Sequence, residues 1–344
     1  MNRMLTVIDH LPEDLLRASP RELHHVLSGP TLLHLPGRRE PPLFVSVLLH
    51  GNEDTSWQAV QQLLHRHRAL PRALSIFIGN VCAARVGARY LPDQPDYNRI
   101  WPGTEAPASP ESRMMQKIVE IMAERGVFAS VDIHNNTGLN PHYACINRLD
   151  HRCLQLARLF SRTIVYFTRP TGVQSMAFAN LCPAVILECG KPGQARGAQH
   201  ALEYLEACLK LAEIPMHPVT EQDIDLFHTV AVVTIPDEVT FSFSDPSADL
   251  LFNDDLDQLN FRELPVGTAL ATTGTSDTVP LVVTSEQGDI VTAEYFERAG
   301  ERLVLKRSIM PSMLTLDEGI VRQDCLCYLM ERLTLNAVAE KKVR

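Results

Sequence analysis

The chain has 344 residues, 45% of them hydrophobic, and a formal net charge of −9. That length leaves room for one large or two ordinary domains with a substantial core, and an acidic balance with no Lys/Arg cluster argues against nucleic acid or an anionic membrane as partner. No window reaches the length of a membrane span, no signal peptide is evident, and eight scattered cysteines read as a reduced, cytoplasmic protein and not as a disulfide scaffold.

Residues 1–40 are polar with one helical patch, LPEDLLRASPRELHHVLSG, and a short strand, TLLHLPG, within them. The run Leu43 to Leu49 is apolar almost throughout and reads as a buried strand. It ends in His50, Gly51, Asn52 and Glu53, which puts metal-type ligands at the carboxyl edge of a sheet, where open α/β folds carry their sites. Gly51 permits a sharp turn between the two ligand types. SWQAVQQLLHRHRAL follows as an amphipathic helix, with Trp57, Val60, Leu63 and Leu64 at the helical period. ALSIFIGN is the next buried strand. VCAARVGARYLPDQPDYNRIWPGTEAPASP reads as a long Pro- and Gly-rich loop, a kind that is usually functional inside a compact domain.

The helix SRMMQKIVEIMAERG leads to the strand VFASVDIH, another apolar run ending in a histidine, His134. PHYACIN, TIVYFT and AVILECG read as strands, DHRCLQLARLFSR and GAQHALEYLEACLKLAE as helices. The alternation predicts an α/β fold, a sheet with helices on both faces. Near Pro215 the pattern changes to short β-type runs, IDLFHTVAVVTI, VTFSFS, PLVVTSEQGDIVTAEYF and RLVLKR, between turn residues. Helix returns only in the C-terminal CYLMERLTLNAVAEK. The expected division is therefore an α/β domain at 1–214, which the resemblance described below makes the catalytic one, and a smaller, mainly β domain at 215–344.

His50, Glu53 and His134 make a His2Glu set, a ligand type of catalytic zinc that keeps a position for water. The alternative is that each histidine is an ordinary loop residue. The metal reading draws its weight from both histidines ending apolar strands of one predicted sheet. There is no H-E-x-x-H, Asp54 follows Glu53 so the inverted motif is absent, and neither G-x-S-x-G nor a phosphate-binding glycine loop occurs. Glu188 ends the strand AVILECG, where a carboxylate is costly to bury without a partner or a role. It is either salt-bridged, with Lys191 the obvious cation, or a general base acting on water. Asp132 lies two residues before His134 on the same strand face. It either holds a ligand imidazole in place or makes a structural hydrogen bond.

HGNE, then GARY and DYNRIWPG, then DIHNNTG, then ECGK resemble, in this order, the succinylglutamate desuccinylase/aspartoacylase family of the zinc carboxypeptidase superfamily. The resemblance spans about residues 43–195. It implies a carboxypeptidase-like α/β domain with a smaller β-rich domain, and one Zn2+ per chain held by His50, Glu53 and His134. It implies that Glu188 is the general base and proton shuttle, that Arg89 polarises the scissile carbonyl and stabilises the oxyanion, and that Asn98 and Arg99 grip a substrate carboxylate. AEYFER resembles the segment whose tyrosine reaches the active site, which makes Tyr295 a substrate contact. The chain departs from aspartoacylases in SMAFANLCPA, which lacks the arginine that binds a side-chain carboxylate. It is similar to aspartoacylase at HNNTG and to desuccinylase at ECGK. The expected activity is zinc-dependent hydrolysis of the amide bond of an N-acyl amino acid, a small molecule with a free carboxylate. A zinc carboxypeptidase or amidase acting on small peptides, or a non-catalytic binding protein that keeps the fold, are the alternatives. Homo-oligomer formation is left open.

Overall fold

The computed structural model describes residues 4–274 and 279–335. The chain forms two compact units. Of the described residues, the first unit runs through Asn135 and resumes from His142 to Leu226; the second takes residues 136–141 and the chain from Phe227 to residue 335.

In chain order the first unit contains β1 (Thr6–Ile8), α1 (Leu23–Val26), β2 (Thr31–Leu35), β3 (Leu43–Val47), α2 (Thr55–Arg66), β4 (Leu74–Ile78), α3 (Val81–Val86), α4 (Pro110–Arg125), β5 (Ala129–His134), β6 (Tyr143–Ile146), α5 (His151–Arg158), β7 (Thr163–Tyr166), α6 (Gln174–Phe178), β8 (Ala184–Glu188) and α7 (Ala195–Lys210). Its strands lie in the order β1-β2-β4-β3-β5-β8-β6-β7. β4, β3, β5 and β8 run parallel, while β2 opposes β4 and β6 opposes β8. The sheet is therefore mixed, with a parallel centre. Every residue of these four central strands is buried, which is why they read in the sequence as apolar runs and not as alternating ones.

Cross-strand partners project to the same face of a sheet. Ser46 pairs with Asp132, and Asp132 and His134 pair with Ile186 and Glu188. Asp132, His134 and Glu188 thus share one face at the carboxyl end of the parallel strands. Below them Phe44 stacks on Phe178 of α6 at 4.3 Å, in a layer with Trp101 and with Met114, Met115, Ile118 and Met122 of α4. Burying one side chain of this size contributes about 1.5–3 kcal/mol, so this layer is a firm floor for the residues above. The start of α4 is set by its sequence: Ser109 and Ser112 form a reciprocal cap and Pro110 opens the first turn. α2 packs along α7 and lies against β3 and β5.

The second unit contains β9 (Asp225–Thr234), which starts within the first, β10 (Phe241–Ser242), β11 (Leu250–Phe252), β12 (Ala269–Thr273), β13 (Val282–Ser285), α8 (Thr292–Tyr295), β14 (Phe296–Ala299), β15 (Arg302–Leu305), β16 (Met310–Ser312), α9 (Glu318–Gln323) and β17 (Cys327–Arg332). β10-β11-β12-β15-β14 form one sheet; β9 pairs with β13 and β17, and β17 with β16. The core joins Val233, Leu250, Phe252, Phe296, Leu303 and Leu314. Residues 136–141 belong here by close packing. A Cβ on Gly138 would stand 1.9 Å from the Leu314 carbonyl oxygen, and Asn140 Oδ1 accepts from the Met313 N–H at 3.0 Å.

Three local expectations are corrected. Val81–Val86 is a helix and not loop: the Asn80 side chain caps it and Gly87, with φ +69°, closes it. Residues 215–226 stay with the first unit, because Gln155 donates to the His217 carbonyl and Asp225 N–H to the Arg162 carbonyl, with Val219, Ile224 and Leu226 buried. Cys327–Arg332 is a strand and not helix, because β9 offers it a ladder from Val233 back to Phe227. The remainder of that expected helix, from residue 336, lies outside the described residues. No helix of the described residues is long and apolar enough to cross a membrane.

Candidate metal centre and its surroundings

β3 ends at Val47, and Leu48 then takes a left-handed conformation, φ 54°. This costs a non-glycine residue free energy. The turn is held by the Ser56 hydroxyl on the Leu48 N–H at 3.2 Å and by the Leu48 carbonyl on the Asn80 N–H at 2.7 Å. Gly51 is required by proximity: a Cβ there would lie 2.2 Å from Ala84 N at the back of α3. The strain and the close approach together swing His50 and Glu53 onto the sheet edge beside His134.

Among the described residues, His50, Glu53 and His134 are the one group of three or more side chains that could hold a metal ion; their donor atoms lie within 4.8 Å of one another. All three are buried, at 3%, 6% and 4% exposure. His50 Nδ1 is 2.7 Å from Glu53 Oε1, and His134 Nδ1 is 2.8 Å from Glu53 Oε2. The far nitrogen of each ring meets another carboxylate. His50 Nε2 is 2.9 Å from Asp96 Oδ1, and His134 Nε2 is 2.8 Å from Asp132 Oδ2. Asp132 is itself fixed by the Ser46 hydroxyl at 2.6 Å. Asp96 is fixed by the Asn98 N–H at 2.8 Å and by Arg89, whose Nε and Nη2 donate at 3.1 and 3.0 Å. The Asn135 N–H donates to Glu53 at 3.1 Å.

This arrangement fits a cation. Asp96 and Asp132 each claim an Nε2–H, so both Nδ1 lone pairs point at the Glu53 carboxylate. Lone pairs facing an anion repel unless a positive charge sits among them. Glu53, Asp96 and Asp132 surround the two rings, with the Arg89 guanidinium bonded to Asp96 and Arg99 acting on it from farther off; a divalent ion or imidazolium protons would balance the negative charge that remains. Without a metal the protons do so. Burial is the largest influence on His134 and opposes charging it, yet Asp132 and Glu53 together hold it well above the usual imidazole value. For His50, burial and then Arg89 oppose, and Glu53 and Asp96 still raise it. Burial alone would raise Glu53; the two histidines hold it below the ordinary carboxylate range. The donor set, two imidazoles and a carboxylate, is a catalytic zinc type.

The other expected residues fall as follows. Glu188 is buried at the end of β8, in register with His134. Arg89 reaches the centre through Asp96. Asn98 Oδ1 accepts from the Gln174 N–H at 3.0 Å, which fixes the orientation of its amide. Its Nδ2 then lies 3.2 Å from His134 Nε2, on the side of the ring turned to Asp132. Arg99 donates to the Asn98 carbonyl at 2.9 Å. Its loop is strapped to Gly172, where a Cβ would stand 2.3 Å from the Arg99 carbonyl oxygen. Tyr295 is in the second unit, buried in its core with the Arg307 guanidinium 5.0 Å from its ring centroid.

Residues 40–211, half of the chain, match the sequence profile of the succinylglutamate desuccinylase/aspartoacylase catalytic domain. The chain belongs to this family. Among curated proteins none matches its sequence. Solved structures agree in fold. Succinylglutamate desuccinylase from Chromobacterium violaceum is 18% identical, with a TM-score of 0.54 and 87% of each chain covered. Succinylglutamate desuccinylase/aspartoacylase from Rhodobacter sphaeroides is 16% identical, with a TM-score of 0.58 over 87% of this chain and 88% of the other. Murine aminoacylase 3 is 15% identical, with a TM-score of 0.57 over 86% and 97%. At these identities the likeness is one of fold.

In this member of the desuccinylase/aspartoacylase family, Asp132 holds the His134 imidazole as its place two residues earlier on the strand suggests, while Asp96 and Asn135 have no such signal in the sequence. Asp96 lies inside DYNRIWPG, two places before Asn98. Its position in an irregular loop, 46 residues from His50, offers no periodic signal. Asn135 follows His134 directly. Its side chain joins Thr55 and the Gly190 carbonyl, at 2.9 and 2.8 Å, tying together the turns that follow β3, β5 and β8.

Proposed function

We propose that this protein is a zinc-dependent hydrolase that cleaves the amide bond of an N-acyl amino acid. The observation that carries the reading is the buried His50–Glu53–His134 set, with each Nε2 held by its own carboxylate and each Nδ1 turned to a common point. When bound, zinc supplies Lewis-acid polarisation of the scissile carbonyl and of a water. Glu188, on the same face as His134, takes the proton of the attacking water and passes it to the leaving nitrogen. Arg89, oriented by two hydrogen bonds to Asp96, stabilises the oxyanion; a donor fixed in advance costs no reorganisation as charge develops. Arg99 takes the substrate carboxylate with its planar fork, and the Asn98 amide supplies a further donor. Relatives named succinylglutamate desuccinylase and aminoacylase support an acylated amino acid as substrate. All eight cysteines are free, which supports a reducing compartment such as the cytoplasm.

The test is turnover by zinc-loaded protein on a panel of N-acyl amino acids, their methyl esters and dipeptides. Free acids of the N-acyl series should be hydrolysed far faster than the esters. Equal rates on acid and ester would remove the carboxylate clamp, and preference for dipeptides would replace deacylation by peptidase activity.

A further inference from the structure

The first unit holds a second pair of imidazoles outside the metal centre. His142 Nδ1 and His200 Nδ1 lie 2.8 Å apart, with the ring planes 20° from parallel. Phe160 stacks on His200 at 4.1 Å, and Tyr204 meets Phe160 edge-on at 5.7 Å. The Phe160 backbone acts on the His200 ring against burial. Of the two facing Nδ1 atoms, one carries the proton and the other accepts it.

The place of the pair matters more than its shape. His142 stands directly before β6, whose first residue, Tyr143, is the register partner of Glu188. His142 Nε2 lies against Gly190, where an added Cβ would be 3.1 Å away. Gly190 has φ +75° and turns the chain two residues after Glu188. His200 sits on α7. One hydrogen bond therefore joins the start of β6 and the turn after β8 to the helix behind them. The groups that face the pair are Arg196 and Glu203 from α7, the neutral Gln194 amide near Gly190, and the Phe160 carbonyl. Burial comes first in holding His142 below its ordinary value, followed by His200 and Arg196. Burial also comes first for His200 and outweighs the Phe160 carbonyl and Glu203. Both rings are neutral at pH 7. The pair can share one Nδ1 proton; a proton on each Nδ1 would set two N–H groups head to head and break the bond.

We infer that the hydrogen-bonded His142–His200 pair is a positioning element for Glu188, fixing the turn that follows the base. This rests on the reading of Glu188 as the general base. His200→Phe keeps the stack on Phe160 and removes the nitrogen that bonds His142. His200→Asn gives up the stack but offers an oxygen near the former Nδ1. With zinc content equal to wild type, His200→Phe should speed hydrogen exchange at the amides of 189–194 and lower kcat roughly tenfold, the order of one lost positioning hydrogen bond, with KM little changed. His200→Asn should recover both in part and lose activity less steeply toward acid pH than wild type, having one fewer titrating ring. Unchanged exchange in His200→Phe would overturn the inference whatever the activity. Faster exchange with wild-type kcat and identical acid limbs would make the pair structural only and overturn it equally. If zinc-loaded wild type hydrolyses no N-acyl amino acid, the reading of Glu188 falls, and exchange still decides whether the pair holds the turn.

Discussion

His50 and His134 on one side, and His142 and His200 on the other, are the same residue type in one unit, yet they titrate in opposite directions. Each of the first two has carboxylates on both ring nitrogens, and those carboxylates outweigh burial. The second two have each other and a backbone carbonyl, and burial prevails. Burial alone therefore does not make a metal site. The difference is the surplus of fixed negative charge around rings whose far nitrogens are already spoken for. A site so built fits a cation; a pair in which burial outweighs the nearby Glu203 stays neutral.

The comparison breaks most sharply where the shared carboxylate is removed. Glu53→Gln leaves both Nδ1 atoms without their anion, and the expected result is loss of bound zinc and of activity together. Retention of full activity would mean that the centre is organised otherwise. Glu188→Gln should separate the two properties, keeping zinc while losing ~10²–10⁴ in kcat, the range of general acid–base help; activity within a few-fold of wild type would make Glu188 structural.

Asp96→Asn and Asp132→Asn test the outer carboxylates. Each should cost roughly 10–100-fold in metal affinity or activity. Asp96→Asn should be the worse for turnover, because Asp96 also orients Arg89. Equal kcat losses in the two variants would show that the hold on Arg89 is unimportant.

The pH dependence has a definite sign. In metal-free protein the raised values of His50 and His134 contribute stability below pH about 6.5, the unfolded imidazole value. That stability is lost as pH rises through their folded values. Zinc competes with those protons, so the rise in Tm on adding zinc should be larger at pH 8.5 than at pH 6. A zinc effect that shrinks with rising pH would contradict the charge argument.

The smallest effect belongs to His34, whose Nδ1 meets the Ser75 hydroxyl at 2.8 Å and on which Asp9 acts more weakly than burial and Arg125. Burial first, then Arg125, lowers it to about 4. The unfolded chain takes up a proton near 6.5 and the folded one does not, so stability falls as pH drops from about 6.5 toward 4. His34→Gln should lack that increment in urea unfolding compared at pH 7.5 and pH 5. An unchanged difference would place the acid sensitivity elsewhere.

The residues legible in the sequence are those that end apolar strands. His50, His134 and Glu188 stand out because a mostly apolar run leads straight into a polar side chain, and parallel neighbours bury such runs along their whole length. Asp96, Asn135 and Ser46 were not legible as parts of the centre, since their roles come from distant loops and register and not from period. CYLMERLTL carries leucines at helical spacing, yet pairing with β9, far back in the chain, makes it a strand. The short α3 was hidden in a Pro- and Gly-rich stretch, where composition says loop and the Asn80 and Gly87 caps say helix.

The central claim is that His50, Glu53 and His134 bind the metal that the chemistry uses, and metal content per chain tests it most directly. Purified wild type should hold about one zinc. His134→Ala and His50→Ala should each lose most of it while keeping the wild-type circular dichroism spectrum. Full zinc occupancy in both variants, or a folded wild type that takes up no zinc when it is supplied, would contradict the account.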